Sequence, residues 1–325
     1  MPCAKHAMNE PMSPEPASSA GWSAGNVSVV VPTYRRGKAL LDTLRQLFAQ
    51  DCPPLEIVVV DQTETHPPEV EQALRQMETD GRIRRVRFAP PSIPRAMNAG
   101  LREAAGDVVL FLDDDVEPAP DLVAAHAVRL GGGYGAVCGQ VLQPGEAPDP
   151  AANRGPRPMG FPADLDFRFC GTEPTELRNV MAGNLSILRS VALSIGGFDE
   201  RFVGSAYRFE TDLARRLLAA GHRILFAPEA SVRHLRLSTG GTRSAGSHLA
   251  RFSPMHSVGD YYFAMRHASG TERWGYILHR PVREICKRYF LRHPWKIPAK
   301  AFSELRACIL AFRLHRQGPR LGGRP

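Results

Sequence analysis

The stretch VVLFLDDDVEP, residues 108–118, decides the fold. Its continuous apolar run reads as a strand buried on both faces. The run ends abruptly in three adjacent carboxylates, Asp113, Asp114 and Asp115. Like charges this close repel and raise one another's pKa. A bound cation offsets that cost. A D-x-D at a strand end suits a hard divalent ion, which completes its shell with water and substrate phosphates. The competing reading is a solvated acidic turn.

Upstream of this stretch the chain alternates strand-like and helix-like segments. VSVVV (27–31) is a β-branched run bounded by Asn26 and Pro32, and LEIVVVD (55–61) is its counterpart. Between them Leu40, Leu41, Leu44, Leu47 and Phe48 recur at helical spacing. PPEVEQALRQM (67–77) opens with proline and acids, as helix N-termini do. RIRRVRF (82–88) suits an edge strand, and IPRAMNAGLREAAG (93–106) reads as a helix closed by Gly106. This rhythm predicts a doubly wound, mostly parallel sheet. In such sheets ligands bind beyond the carboxyl ends of the strands. PTYRR (32–36), Asp61 and the acidic triplet all fall on that rim.

Downstream, residues 131–176 are rich in Gly and Pro and read as a long loop around one strand, GAVCGQVLQ (135–143). ETDLARRLLAAG (210–221) is an amphipathic helix, and HRILFAP (222–228) and ASVRHL (230–235) read as two short strands.

Of the 325 residues 43% are hydrophobic and 23% charged, which are ordinary globular values. The six cysteines are scattered without a CxxC pair, a pattern of reduced thiols in a cytosolic protein. No apolar run approaches the roughly 20 residues that span a bilayer. The first 25 residues lack an apolar h-region and read as a disordered leader. Net charge is +8, and eleven Lys/Arg against two Glu fall between Pro281 and Pro325, more than the whole surplus. The basic character belongs to the tail, so the chain is not read as a nucleic-acid binder. There is no G-x-G-x-x-G after the first strand and no P-loop, which disfavours dinucleotide and P-loop folds.

VSVVVPTYRR, EIVVVDQ, PRAMNAGLREAAGDVVLFLDDDVEP, GGFDERF, ETDLARRLLAAGHRI and ASVRHL occur in that order between Val27 and Leu235. The ordered set resembles the family 2 glycosyltransferases of GT-A fold. The resemblance implies inverting transfer of a sugar from a nucleotide-sugar donor to an acceptor hydroxyl, with Mn²⁺ or Mg²⁺. Pro32, Thr33 and Tyr34 match the segment that lines the nucleobase. Asp61 matches the acid that bonds the base, typically uracil. Arg95 and Asn98 match the helix bordering the nucleotide. Asp115 matches a metal ligand, Asp113 a ribose or metal ligand, and Asp114 a residue that holds ribose in some relatives. His234 matches a histidine that holds metal or diphosphate in some relatives; it also fits a packed strand end. In RFETDL (208–213) Phe209 takes the place of the first acid that relatives often carry. Glu210 then matches the general base, with Asp212 as second choice. The segment STGGTR (238–243) suggests a loop closing on the diphosphate through Arg243.

GTERW (270–274) lacks the glutamine of the Q-x-x-R-W of processive synthases, which argues for addition of a single sugar. Three regions are expected: the leader to residue 25, a GT-A catalytic domain over 26–250, and a basic helical extension over 251–325. In that extension Phe302, Leu305, Ile309 and Phe312 fall along one helical stripe beside Lys300, Arg306 and Arg313. The stripe either lies on an anionic membrane surface or packs on the catalytic domain, with RNA binding a third reading. The acceptor is expected to be lipid-linked or a saccharide, at the cytoplasmic face of the membrane. Two other functions compete: a nucleotidyltransferase, for which VPTYRRGKAL is a poor match, and a non-catalytic nucleotide-sugar binder.

Overall fold

The structure, a computed structural model, describes residues 21–242 and 253–322. The first half is the expected alternation: β1 (Val27–Thr33), α1 (Lys38–Phe48), β2 (Glu56–Asp61), α2 (Pro68–Thr79), β3 (Arg84–Arg87), α3 (Ile93–Glu103) and β4 (Val108–Leu112). β-Branched residues fit a pleated, buried surface. Accordingly Val27, Val29, Val30, Val31, Val58, Val59, Val60, Val108 and Val109 are fully buried. The parallel register pairs Thr33 with Asp61, and Val30 with Phe111. The carboxyl ends of β1, β2 and β4 therefore reach one rim together.

Beyond β4 the sheet becomes mixed. The elements are β5 (Val116–Pro118), α4 (Leu122–Leu130), β6 (Ala136–Leu142), β7 (Thr175–Glu176), β8 (Asn184–Leu188), α5 (Arg189–Ser194), α6 (Phe209–Ala219) and β9 (Ile224–His234). The strand order is β3-β2-β1-β4-β8-β6-β9-β5, with β7 on β9. β8 runs antiparallel to both β4 and β6, while β6 and β9 are parallel. The two short strands expected over 222–235 are one strand. Its register to β6 jumps from Gly139↔Ala227 to Gln140↔Ser231, and the jump takes up Pro228, which has no N–H for a ladder. Between Gln143 and Pro174 there is only an isolated bridge, Asp149 with Gly171, as the Gly/Pro content suggests.

The C-terminal helices are α7 (Val258–His267), α8 (Gly270–Ile285), α9 (Arg288–Arg292) and α10 (Ile297–Arg316). α7 is buried all round, with Tyr261, Tyr262 and Phe263 among the largest fully buried side chains. Tyr262 Oη donates to Asp199 Oδ2 (2.8 Å), and Tyr261 Oη donates to Glu304 Oε2 (2.9 Å), which ties the extension to the body. The expected leader, apart from residues 21–25, and the proposed boundary at 250/251 lie outside the described residues, as does Arg243.

One buried histidine links four elements behind the rim. The Asn184 amide donates to Gln140 O and Ala230 O, so its Oδ1 faces His126 Nε2 at 2.8 Å as an acceptor. His126 is therefore the neutral Nε2–H form, with Nδ1 receiving the Ser186 hydroxyl at 2.8 Å. Burial pushes its pKa down from 6.5 to about 4. The unfolded chain binds this proton first, so stability falls as pH drops from about 6.5 toward about 4. Urea titrations should show about 2 kcal/mol lost at this site between pH 7 and pH 5. His126→Gln should lack that component; equal losses in both proteins would contradict the assignment.

Candidate functional site

β4 ends at Leu112 and β5 starts at Val116, so Asp113–Asp115 form the link between two strands. β5 pairs antiparallel with β9, which sets Val116 opposite His234 and brings that imidazole to the link. His234 Nε2 lies 3.2 Å from Asp115 Oδ1 and 3.8 Å from Asp113 Oδ2. On the other side Arg36 reaches Asp115 at 3.2 Å and Asp114 at 3.5 Å. The Asp114 carboxylate also accepts from Thr33 Oγ1 (2.6 Å), so it turns into the end of β1. Asp113 stays half-exposed and sits against Gly183, where an added Cβ would come within 2.3 Å of Asp113 Oδ2.

The electrostatics follow from this placement. Burial pushes the Asp114 carboxyl up to about 7; the charges of Asp115 and Asp113 add to this, against Thr33 and Arg36. Burial also acts against the Asp115 carboxylate. The hydrogen bond and charge of His234, with Arg36, outweigh it and hold that group below its usual range. Burial lowers His234, but the Asp115 hydrogen bond and both carboxylate charges raise it on balance. Donor atoms of Asp113, Asp115 and His234 all lie within 4.8 Å of one another. Two carboxylates and an imidazole fit a divalent first-row ion such as Mn²⁺ better than Mg²⁺, which prefers oxygen and water.

These residues form the floor of a cleft of about 800 Å³. Pro32, Thr33, Tyr34 and Arg36 line one side, and Met181, Ala182, Gly183 and Glu210 another. The loop after β9 folds over β1: Arg36 donates to Leu237 O and Thr239 O, and Gly241 N–H donates to Tyr34 O. Glu210 stands in the first turn of α6, and its Oε1 accepts the Ala182 N–H at 2.9 Å. The turn before it is strained. Ala206 (φ 51°) and Arg208 (φ 72°) are left-handed, which is costly for residues with a Cβ. Arg208 is held there by Leu165 O (3.0 Å) and by Asp260 of α7 (3.4 Å). Gly259 permits this approach, since a Cβ there would come within 2.2 Å of Tyr207 O. Asp260 also takes Tyr276 Oη and Arg280 Nε, each at 2.7 Å. Asp260, Arg280, Arg283 and Lys287 close the far wall of the cleft.

Several rim residues named from sequence are not in the cleft. Asp61 is buried, with its oxygens given to Thr63 N–H, His66 and Arg85. Asn98 is buried and bonds both the N–H and the C=O of Phe198, which ties α3 to the 197–200 turn. Arg95 lies over the Phe88 ring. Asp212 is fully buried between Arg216 (2.8 Å), Arg266 (3.1 Å) and His267 (2.7 Å). Burial acts against its charge, but Arg216, His267 and Arg266 outweigh it and hold it far below the usual carboxylate range. It anchors α6 to α7 and faces no solvent. Arg36 belongs to the rim segment read from sequence, yet no role was legible for it. The Arg208–Asp260–Arg280 cluster carries no motif. Asp260 falls in the first turn of α7, where an acid is an ordinary helix starter, so it gives no signal.

Residues 28–191, half of the chain, match the family described as Glycosyl transferase family 2. The chain is 28% identical over 224 residues to a glucosyl-dolichyl phosphate glucuronosyltransferase of Haloferax volcanii, covering 64% of this chain and 68% of that one. It is 27% identical over 237 residues to an N-acetylglucosaminyltransferase of Mesorhizobium japonicum, where it covers 68% of itself and spans about half, 53%, of the relative. Among solved structures it resembles a mannosyltransferase from Pyrobaculum calidifontis in complex with GDP-Man and Mn²⁺ (TM-score 0.52, 22% identity, 90% of this chain and 79% of that one). It also resembles GalNAc-T7 with UDP, GalNAc and Mn²⁺ (TM-score 0.53, 18% identity, 86% and 58%). These likenesses fix the fold as GT-A-like, with the helical C-terminal region added. The family match over the strands that build the rim leads to one conclusion: the chain belongs to glycosyl transferase family 2 and is a glycosyltransferase using a nucleotide-sugar donor.

Proposed function

We propose that the chain transfers a single sugar from a UDP-sugar to an acceptor hydroxyl with inversion, in the synthesis of a cell-surface polysaccharide or glycolipid. The carrying observation is that Glu210 and the Asp113/Asp115/His234 cluster face one cleft. In this reading Pro32, Thr33 and Tyr34 hold the nucleobase side, Asp113 faces the ribose or metal, and Asp114 braces β1 through Thr33. UDP is assigned on the resemblance alone, because Asp61 is buried and already paired. Asp113, Asp115 and His234 would hold Mn²⁺, which supplies charge stabilisation for the departing diphosphate. Glu210 takes the proton of the acceptor hydroxyl as its oxygen bonds the anomeric carbon. The bond from that carbon to the diphosphate oxygen breaks on the opposite face. A single displacement through an oxocarbenium-like state inverts the centre.

The Haloferax relative's name supports a lipid-linked acceptor; a saccharide is the other class. No described helix is long and apolar enough to cross a membrane. We place the enzyme at the cytoplasmic face of a membrane, with its C-terminal extension meeting an anionic surface.

Asp115→Ala should leave the fold intact and remove the Mn²⁺ dependence of UDP-sugar binding; unchanged affinity and metal response by calorimetry would overturn the metal assignment. A panel of UDP-, dTDP- and GDP-sugars settles the donor. Glu210→Gln should keep donor binding but lose about 10²–10⁴-fold in transfer. NMR of the wild-type product should show the inverted anomer. Asp212→Asn should instead lower stability, since it leaves Arg216 and Arg266 short of a partner. A retained anomer, or an active Glu210→Gln beside a folded but inactive Asp212→Asn, would contradict this mechanism. Donor binding without any transfer would favour a non-catalytic binder.

A further inference from the structure

α10 leaves its bulkiest apolar side chains in water and buries charged ones. Its buried face carries Lys300, Ser303, Glu304, Ala307, Ala311 and Leu314. Its outward stripe is Phe302, Leu305, Ile309 and Phe312. A surface helix normally does the reverse, with the apolar stripe toward the core. α8 repeats the pattern. Arg280 and Glu284 are buried beside Ile277, while Trp274, Leu278 and Val282 point outward. Leu291 and Trp295, on and after α9, continue the same exposed series. These nine side chains are between 45% and 70% exposed. Burying charge is costly unless it is paired, and here it is paired. Arg280 bonds Asp260 and Glu304, and Lys300 Nζ bonds Glu304 at 2.8 Å. The fold thus buries paired charges beside Ala307, Ala311, Leu314 and Ile277 while leaving the larger apolar groups outside. The stripe does not pack on the catalytic domain, which removes that reading of the sequence.

We propose that this outer face of α8, α9 and α10 lies in the headgroup layer of an anionic bilayer. The proposal deepens and rests on the membrane reading given above. Charge selects the occupant. Over 270–316 the exposed charged side chains, apart from Arg283, which turns to Asp260 and the cleft, are Arg288, Arg292, Arg306, Arg313 and Arg316, against one exposed acid, Glu272. On α10 the arginines flank the stripe; Arg306 lies 5.9 Å from the Phe302 ring. A second copy of the chain would set these cations against one another. A layer of anionic headgroups neutralises them and takes up the aromatic and aliphatic groups between them. α8 joins this face to the site. Arg283 on it and Lys287 just past its end line the cleft, and Trp274, Leu278 and Val282 point outward. Docking by this face sets the cleft wall beside the headgroups, where a lipid-linked acceptor presents its sugar.

Flotation of the full chain with vesicles of phosphatidylcholine alone, or with about one third phosphatidylglycerol, tests this. The wild type should float with the anionic vesicles, at least about tenfold less with the neutral ones, and less as salt is raised. Phe302→Glu/Phe312→Glu should lose at least about tenfold of that binding, while UDP-sugar binding and hydrolysis stay at wild-type levels. Arg306→Gln/Arg313→Gln keeps the apolar face and should lose the preference for anionic lipid. A wild type that floats with neither vesicle overturns the membrane reading itself. A wild type that floats beside an equally bound Phe302→Glu/Phe312→Glu protein overturns only the assignment of the face. A wild-type dimer in sedimentation, broken by those two substitutions, would make the face a self-interface and also overturn the proposal.

Discussion

Three carboxylates in a row can end a buried strand only if cations meet them, and Arg36 and His234 do so from opposite sides. Much of the surrounding architecture serves that meeting. β1 must run two residues past the end of β4 for Thr33 to bond Asp114. β5 must pair antiparallel with β9 for His234 to arrive. The turn after β9 must fold over β1 so that its carbonyls orient Arg36. The result is unequal treatment of three chemically identical side chains. Asp114 is buried and pushed toward the neutral form, Asp115 is kept ionised, and Asp113 is left half in solvent. A site that binds a cation and then a diphosphate needs such a division, since three free charges would repel and three neutral acids would bind nothing.

The second dependence runs through Asp260. This acid receives Arg208, Tyr276 and Arg280, and so connects the strained turn before Glu210 to the helices that close the cleft. Left-handed backbone at Ala206 and Arg208 persists because the surroundings over-determine it. The extension is therefore part of the catalytic body. Removing it would take away Asp260, the partner of Arg208, and release the turn that carries Glu210.

What could be read from the sequence followed the physics of strands. Apolar runs of five or six residues between turn signals placed β1, β2 and β4, and an acidic cluster after such a run can only sit at a strand end. Side-chain direction was less legible. Asp61 and Asn98 lie on elements that reach the rim, yet Asp61 turns to Arg85 and His66, and Asn98 to Phe198. Proximity to the rim does not say which neighbour a polar group will satisfy first. The same holds for α10. Its periodicity shows a stripe, but only the buried ion pairs of Lys300 and Arg280 with Glu304 show why charged side chains can take the inner face and leave the stripe outside. Asp260 was silent because a buried acid gains its partners from helices more than a dozen residues away.

The central claim is that Asp113, Asp115 and His234 hold one divalent ion that also meets the donor's diphosphate. Pulsed EPR of the full chain loaded with Mn²⁺ and UDP examines it directly. The account predicts ¹⁴N coupling from an imidazole and ³¹P coupling on the same ion, with the nitrogen signal absent in His234→Gln. Phosphorus coupling without any imidazole nitrogen in the wild type, or Mn²⁺ surrounded by water alone, would contradict it.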